Sequence, residues 1–240
     1  MRSRQLLAIG PALVMVAHLA YAQGTDLAGG LRAGDYLRLS AGASVPVNPQ
    51  GSLKDWSSGT VFNVGWENWQ SGGSTGVGRL GVALNLSYSV LPLDEKQFLS
   101  DFTPISGVRP TSATASSAGV FELATNLRFR IPTPFIMPTI NLGIGFMNWR
   151  PATIDFDGPT GHGQAKQRHR SGAELTIGGG LERNIFDRYG LFGEAAYAYG
   201  FTSIGQGAAT PGGLCATGNC DILKNTSIAT FRGGLSVRIR

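Results

Sequence analysis

Residues 79–90 read Arg-Leu-Gly-Val-Ala-Leu-Asn-Leu-Ser-Tyr-Ser-Val, with an apolar or aromatic residue at every second position from Leu80 to Val90. The residues between them, from Arg79 to Ser89, are small or polar. Because side chains alternate between the two faces of a strand, this stretch predicts a strand with one wholly apolar face. A transmembrane β-strand needs about 9 to 11 residues of this kind, so the stretch is long enough to cross a bilayer.

Seven further segments alternate in the same way, although several are less regular. The eight predicted strands are residues 36–47, 59–69, 79–90, 119–131, 139–149, 172–183, 189–201 and 226–240. An even number of strands suits a closed antiparallel barrel. The predicted fold class is therefore all-β, an eight-stranded antiparallel up-and-down transmembrane barrel.

The connections between these strands alternate in length, as they do in bacterial outer-membrane barrels with short periplasmic turns and longer outer loops. The long ones are residues 48–58, 91–118, 150–171 and 202–225, and the short ones are residues 70–78, 132–138 and 184–188. With a periplasmic amino terminus, every long loop is predicted to lie outside the cell. Aromatic residues toward the strand ends, among them Trp66, Trp69 and Trp149, predict interfacial girdles.

The amino terminus has the pattern of a secretory signal. Arg2 and Arg4 precede an apolar run over residues 6–17, and Ala20-Tyr21-Ala22 is a small-x-small cleavage site. The predicted division is a signal peptide at residues 1–22 and one barrel domain at residues 23–240. The apolar run is too short for a spanning helix.

Composition supports a membrane barrel over a soluble enzyme. The chain has 35 glycines and only 15% charged residues, and glycine serves where barrel strands bend or crowd. Without Arg2 and Arg4, 18 of the 20 basic residues remain against 15 acidic ones. The resulting net charge of about +3 is too small to indicate nucleic-acid binding.

The face opposite the apolar one carries the charged residues of the strands. Charges excluded from lipid are expected inside an eight-stranded barrel, whose lumen is just wide enough for side chains to fill. There arginine and glutamate can pair across the bore. The predicted lumen network is Arg38, Glu67, Arg79, Glu122, Arg128, Arg130, Glu174, Glu182, Glu194, Arg232 and Arg238.

Two cysteines, Cys215 and Cys220, flank Ala-Thr-Gly-Asn in a polar loop. An exported protein is expected to oxidise them to a structural disulfide. A redox or metal pair is the alternative, which four intervening residues and the lack of a nearby histidine disfavour.

The chain resembles the small outer-membrane β-barrel superfamily, the eight-stranded domains related to OmpA, OmpX and OmpW. The resemblance rests on strand number, alternation, loop asymmetry and the closing segment Phe231-Arg-Gly-Gly-Leu-Ser-Val-Arg-Ile-Arg240. It implies a place in the bacterial outer membrane, with membrane lipid, lipopolysaccharide and the barrel-assembly machinery as partners.

His169-Arg170-Ser171 looks like the H-x-S motif of barrel enzymes that deacylate lipid A. A hydrolase would need Ser171 as nucleophile, His169 as base and a carboxylate to orient the histidine. The nearby carboxylates, Glu174 and Glu182, have the parity of the lumen face, which argues against the enzyme.

Basic residues cluster in the third long loop, where they offer a contact for lipopolysaccharide phosphates or a host polyanion such as heparan sulfate. They are Lys166, Arg168, His169 and Arg170. A solvated loop is the simpler interpretation of this cluster. Asp155 and Asp157 in Ile-Asp-Phe-Asp-Gly weakly suggest a calcium loop, because the further ligands of such a loop are missing.

The leading functional hypothesis is a non-enzymatic outer-membrane barrel, without cofactor, that anchors surface loops for adhesion or recognition. A narrow channel or hydrophobic-solute conduit of the OmpW type is the alternative, and a lipid A hydrolase is less favoured. A soluble exported β-sandwich or lipocalin-like binder would expose a large apolar belt to water, which argues against that class.

Overall fold

In the computed structural model, the segments of alternating polar and apolar residues form long strands that close into a barrel. The structure describes residues 33–47, 53, 55–69, 79–101, 110–131, 133, 135–159, 161–166, 169–186, 188–202 and 226–239. The elements are β1 (Gly34–Pro46), β2 (Gly59–Trp69), β3 (Arg79–Leu91), α1 (Glu95–Asp101), β4 (Ser112–Ala115), β5 (Ala118–Arg130), β6 (Met137–Arg150), β7 (Thr153–Gly158), β8 (Gly161–Lys166), β9 (Arg170–Phe186), β10 (Tyr189–Thr202) and β11 (Thr226–Arg238).

Eight of these strands form a closed antiparallel barrel in the order β1-β11-β10-β9-β6-β5-β3-β2. The first and last strands pair through a continuous register from Tyr36 opposite Arg238 to Pro46 opposite Ile228. This confirms the predicted fold class. No helix among the described residues is long and apolar enough to cross a bilayer.

The outer surface of the barrel is a belt of apolar side chains. In β3, Leu80, Leu84 and Leu86 are 52%, 41% and 45% exposed, whereas Asn85 between them is only 6% exposed and faces the lumen. The same alternation continues around the wall, with Ile144, Ile177 and other aliphatic residues exposed. A continuous belt of this kind requires a hydrocarbon environment, since water would be in contact with a large apolar surface.

Glycine permits close approach where the barrel closes. A Cβ added at Gly42 of β1 would overlap the backbone oxygen of Phe231, and one at Gly234 of β11 would overlap that of Leu39. Both glycines lie in the seam between β1 and β11. A side chain at either position would therefore push the seam apart.

The long connections, which the sequence predicts to be plain loops, contain a folded cap. We define the cap as the described residues of 53–58, 92–117 and 151–169. Within it β4, β7 and β8 form a three-stranded sheet in that order, and Glu95 of α1 accepts a hydrogen bond from the Ala113 backbone N–H at 3.0 Å. At the end of the barrel opposite the cap are the short connections, here called the turn end.

The cap packs its apolar side chains onto the upper lumen. Leu53, Trp56, Phe98 and Ile154 of the cap are at most 3% exposed. They join one hydrophobic cluster with lumen-facing barrel residues, which include Val120, Met147, Trp149, Ala198 and Ile228. This apolar cluster, which we call the plug, occupies the cap end of the bore.

Two of the aromatic residues predicted for the interfacial girdles are in fact inside the barrel. Trp69 and Trp149 are each 2% exposed, while Trp66 is 40% exposed and faces outward. Closeness to a strand end led to the wrong prediction, because it says nothing about which face a residue occupies. Trp69 has the parity of Glu67 rather than that of Trp66, and alternation alone assigns it to the lumen.

We expect an arginine in the middle of the outer belt to destabilise the barrel much more than one near its rim. Leu84→Arg near the centre of β3 should lower the free energy of unfolding by about 2 to 4 kcal/mol, and Leu80→Arg near the turn end by only about 0 to 1 kcal/mol. Urea unfolding in lipid vesicles measures both. Equal losses for the two variants would contradict the membrane placement of the belt.

Candidate functional site

The lumen holds all the charged residues that the sequence analysis assigned to it. Eight of the eleven are buried, at 1% to 6% exposure, namely Arg38, Glu67, Glu122, Arg128, Arg130, Glu174, Glu182 and Glu194. Arg79, Arg232 and Arg238 are half-buried. Arg79 and Arg238 lie at the turn end, while Arg232 lies deeper in the bore.

Five of these residues form a central network that crosses the bore. Glu67 Oε1 lies 2.5 Å from Arg38 Nη1 and 2.6 Å from Arg128 Nη1. Arg128 Nη2 continues to Glu194 Oε2 at 2.5 Å, and Glu194 Oε1 lies 2.5 Å from Arg232 Nη2. The network links β1, β2, β5, β10 and β11, so it ties together strands that are not neighbours in the sheet.

Aromatic rings and a second ion pair extend the network toward the turn end. Arg130 Nη2 lies 2.5 Å from Glu182 Oε2, and its guanidinium stacks 3.8 Å from the ring centroid of Trp69. The Trp69 indole N–H donates to Glu67 Oε2 at 2.9 Å, and the Ser236 hydroxyl donates to Glu182 Oε1 at 2.9 Å. Stacking and hydrogen bonds thus hold the charged groups in position where a buried charge would otherwise be costly.

Glu122 and Glu174 stand apart from this network. Neither makes an ion pair with a described residue within 4.0 Å, although Glu174 Oε1 accepts a hydrogen bond from the Thr176 hydroxyl at 2.7 Å. Both line a polar cavity of about 20 Å³. Along β5 the lumen-facing order is Val120 of the plug, Glu122, and then Arg128 of the central network, which places the cavity between these two layers.

The outer surface of the cap carries two polar pairs on the β7–β8 hairpin. The His162 ring Nδ1 lies 2.7 Å from Asp157 Oδ1, and Gln164 Nε2 donates to Asp155 Oδ1 at 2.7 Å. Both aspartates of the Ile-Asp-Phe-Asp-Gly motif thus have hydrogen-bond partners within the hairpin. Among the described residues no group of three or more metal-ligating side chains is present.

The structure does not bring the described residues of the H-x-S motif together with the carboxylates nearby in the sequence. His169 and Ser171 are both exposed, and Ser171 lies on the outer face of β9 opposite Asn148. Glu174 and Glu182 are each 2% exposed inside the lumen. The barrel wall therefore separates the predicted nucleophile from the nearby carboxylates, and the two sets cannot form a hydrolytic triad.

The remaining predicted residues are only partly described. Lys166 ends β8, His169 is exposed, and Arg170 begins β9 half-buried. Arg168, the predicted disulfide of Cys215 and Cys220, and the predicted signal peptide lie outside the described residues.

The plug and the cavity were missed by the sequence analysis. Lumen parity was the available signal for Met147 and Trp149, which have the parity opposite to the exposed Phe146. Ile154 and Phe156 alternate with two aspartates in a short segment that was assigned to a loop. This segment, β7, pairs with β4 and β8, and nothing in its own sequence indicates that pairing.

The chain matches no protein-family model and no curated protein. Similar solved structures include Neisserial surface protein A, at 10% identity and a TM-score of 0.48, covering 86% of this chain and 98% of that one. Ail of Yersinia pestis, in complex with the heparin analogue sucrose octasulfate, has 12% identity, a TM-score of 0.40, and coverage of 86% and 99%. The outer membrane enzyme PagL has 16% identity, a TM-score of 0.42, and coverage of 85% and 99%. These likenesses concern the fold alone.

We expect His162 to titrate above an ordinary histidine, because its hydrogen bond with Asp157 raises the pKa of the ring. A raised folded pKa means that the pair stabilises the hairpin below the unfolded pKa, and that this contribution is lost as pH rises through the folded value. NMR titration of the imidazole should show the raised pKa in the native protein and a lower one in Asp157→Asn. An unchanged pKa in that variant would contradict the pairing.

Proposed function

We propose that the protein is a non-enzymatic, non-conducting outer-membrane barrel that anchors a folded cap at the bacterial surface. Its role is to present the cap for recognition or adhesion. The observation that carries this proposal is that the bore is blocked at two separate levels, by the central network and by the plug. Two blocks in series suit a structural anchor for the cap better than a channel.

The lower block is electrostatic. Glu67 and Glu194 each bind more than one arginine, and the chain of contacts runs across the bore from β2 through Arg128 to β10. An ion entering this layer would have to displace a guanidinium from a buried carboxylate. Breaking a buried pair in this way costs about 3 to 5 kcal/mol, which disfavours steady conduction.

The upper block is apolar. Val120, Met147 and Ile228 are fully buried where the cap meets the barrel, and Trp149 is 2% exposed beside them. A cation would find no ligand among these side chains, because their one polar group, the Trp149 indole N–H, is a donor and cannot coordinate it. A polar cavity of about 20 Å³ lies between the two blocks and is large enough for about one water molecule.

The cap is well suited to recognition because it is packed rather than loose. Phe98 and Phe156 contact each other with ring centroids 6.4 Å apart beneath the β7–β8 hairpin, whose polar side chains face outward. A preorganised surface loses less conformational entropy when a partner binds. Lipopolysaccharide phosphates and host polyanions remain candidate partners through the basic residues around His169, as the sequence analysis proposes.

We expect the purified protein to be silent in planar bilayers. Variant Arg38→Ser/Glu67→Ser/Arg128→Ser/Glu194→Ser removes two charges of each sign and opens the lower block, and Met147→Ala/Trp149→Ala opens the upper one. Because the blocks act in series, each set alone should stay silent, and the combined variant should give discrete current steps. A heat-modifiable gel shift confirms folding of each variant. Porin-sized steps from the native protein would refute the proposal.

Surface labelling tests where the cap lies. In a background with both cysteines replaced by serine, Gln164→Cys in the cap should react with an impermeant maleimide on intact cells. Arg188→Cys at the turn end is the matched control and should react only after the outer membrane is permeabilised. The reverse pattern would show that the cap faces the periplasm.

A further inference from the structure

A groove crosses the outer wall of the barrel and has a volume of about 620 Å³. Its floor is the wall itself at Ser40, Asn63 and Ser87, whose side chains point into the lumen and hydrogen-bond to one another there. Its two sides are adjacent rows of outward-facing residues that follow the register of β1, β2, β3 and β5. The rows are Leu39, Val64 and Leu86 on the side nearer the turn end, and Phe62, Tyr88 and Phe121 on the side nearer the cap.

Two small residues leave the groove open at its lower end. Ala41 of β1 lies directly opposite Gly233 of β11. If a Cβ were added at Gly233, the nearest atom beyond its chain neighbours would be the Phe192 backbone oxygen, 3.8 Å away. Internal packing therefore does not require a glycine here, in contrast to Gly42 and Gly234 of the same seam. Glycine weakens a strand and often marks a place where a ligand approaches the backbone closely.

The groove rises along the wall from the middle of the apolar belt to its cap end. Gly233 lies near the middle of β11, and Phe121 lies near the cap end of β5. This slope follows from the stagger of the strands in a closed barrel, which tilts the rows of paired residues relative to the membrane plane. An occupant of the groove therefore has one end in the hydrocarbon and the other at the level of the headgroups. A lipid acyl chain follows that course.

Polar and basic side chains continue the groove beyond Phe121. Asn148 of β6 lies opposite Phe121, and Ser171 of β9 lies opposite Asn148. Arg150 is on the same outward face of β6 and is exposed, as is His169, which immediately precedes β9. Continuing the register of β6 and β9 by one pair places His169 opposite Arg150. We call these four residues, Asn148, Arg150, His169 and Ser171, the rim cluster.

Tyr88 joins the groove to the rim cluster. A Cβ added at Gly119 would lie 2.5 Å from the Tyr88 hydroxyl oxygen, so the ring lies over the bare backbone of that glycine. Gly119 pairs with Arg150 across β5 and β6. The hydroxyl is therefore directed toward the rim cluster, at the boundary between the apolar and the polar lining. There it can donate a hydrogen bond to a headgroup.

Arg150 gives the rim cluster its positive charge. Its Nε donates to Asn148 Oδ1 at 3.2 Å, and it makes no ion pair with a described carboxylate. A guanidinium can bind two oxygens of one phosphate at once. Within the described part of the chain, the contact with Asn148 thus orients the guanidinium and leaves its Nη groups for an anionic headgroup.

We propose that the groove and the rim cluster bind one molecule of lipid A, the membrane anchor of lipopolysaccharide. One acyl chain lies in the groove and a phosphate lies on Arg150, while the disaccharide offers hydroxyl groups to Asn148 and Ser171. The inference rests on the proposed function, because a cap at the cell surface places the rim cluster in the outer leaflet, where lipopolysaccharide is the principal lipid. Charge complementarity and the slope of the groove select a phosphorylated lipid over a second copy of the chain.

The test is native mass spectrometry of the purified protein folded in detergent. The protein is mixed with lipid A, with lipid A that lacks its phosphates, or with the anionic phospholipid phosphatidylglycerol. The native protein should retain one lipid A molecule and bind it about tenfold or more tightly than the dephosphorylated form, which lacks the charge-assisted hydrogen bonds to Arg150. It should retain less phosphatidylglycerol, which has fewer hydroxyl groups for the rim cluster.

Two matched pairs of variants locate the site. Arg150→Gln should weaken lipid A binding about tenfold, whereas Arg183→Gln, at an exposed arginine of the turn end, should leave it unchanged. Gly233→Leu should weaken binding by filling the groove. Gly193→Leu is its control, because Gly193 does not line the groove and has no described atom within 4 Å of an added Cβ beyond its chain neighbours. The heat-modifiable gel shift confirms that each variant folds.

Three results would overturn the lipid A site. Equal binding of lipid A and its dephosphorylated form by the native protein would do so without any variant. Equal retention of phosphatidylglycerol would show that the site takes a phospholipid, and undiminished lipid A binding in Arg150→Gln would remove the arginine from it. Failure of the proposed function is read separately, from currents in planar bilayers and from maleimide labelling of the cap.

Discussion

The structure depends on the pairing of buried guanidinium and carboxylate groups inside a narrow bore. The outer face of the barrel meets hydrocarbon and gains nothing there from packing against other protein, so the side-chain contacts that support the hydrogen-bonded wall must come from the interior. Glu67 and Glu194 do this by binding arginines that reach from strands on other sides of the barrel. Each charge of the central network is tolerated because its partners are present, and removing one would leave an uncompensated ion.

This constraint organises the lumen in layers. The central network crosses the bore and extends toward the turn end through Trp69, an oxygen-lined cavity follows, and the plug closes the cap end. The cap is therefore a folded unit, because its apolar residues form one hydrophobic cluster with lumen-facing residues of the barrel. Ile154 and Phe98 share that core with Met147, so the fold of the outer surface and the closure of the bore depend on the same contacts.

The alternation of polar and apolar residues in the sequence predicts much of this arrangement. It does not predict the partners of each charged residue or the fold of the cap. The period of two around Leu84 assigns the outer face, and the parity of Glu67 and Arg128 assigns the lumen. The same rule would have assigned Trp69 and Trp149 correctly, had it been preferred to their position near strand ends. Which arginine meets which glutamate depends on the stagger of the closed sheet, and neither that stagger nor the cap fold around Ile154 has a local signature.

The central claim is that ion pairs across the bore hold the barrel wall together. A double-mutant cycle on Arg128 and Glu194, whose strands are not adjacent, tests it most directly. Urea unfolding in lipid vesicles of the native protein, Arg128→Met, Glu194→Gln and the double variant measures the coupling free energy. We predict a favourable coupling of about 1.5 to 3 kcal/mol. Additive losses, with a coupling below about 0.5 kcal/mol, would contradict the claim.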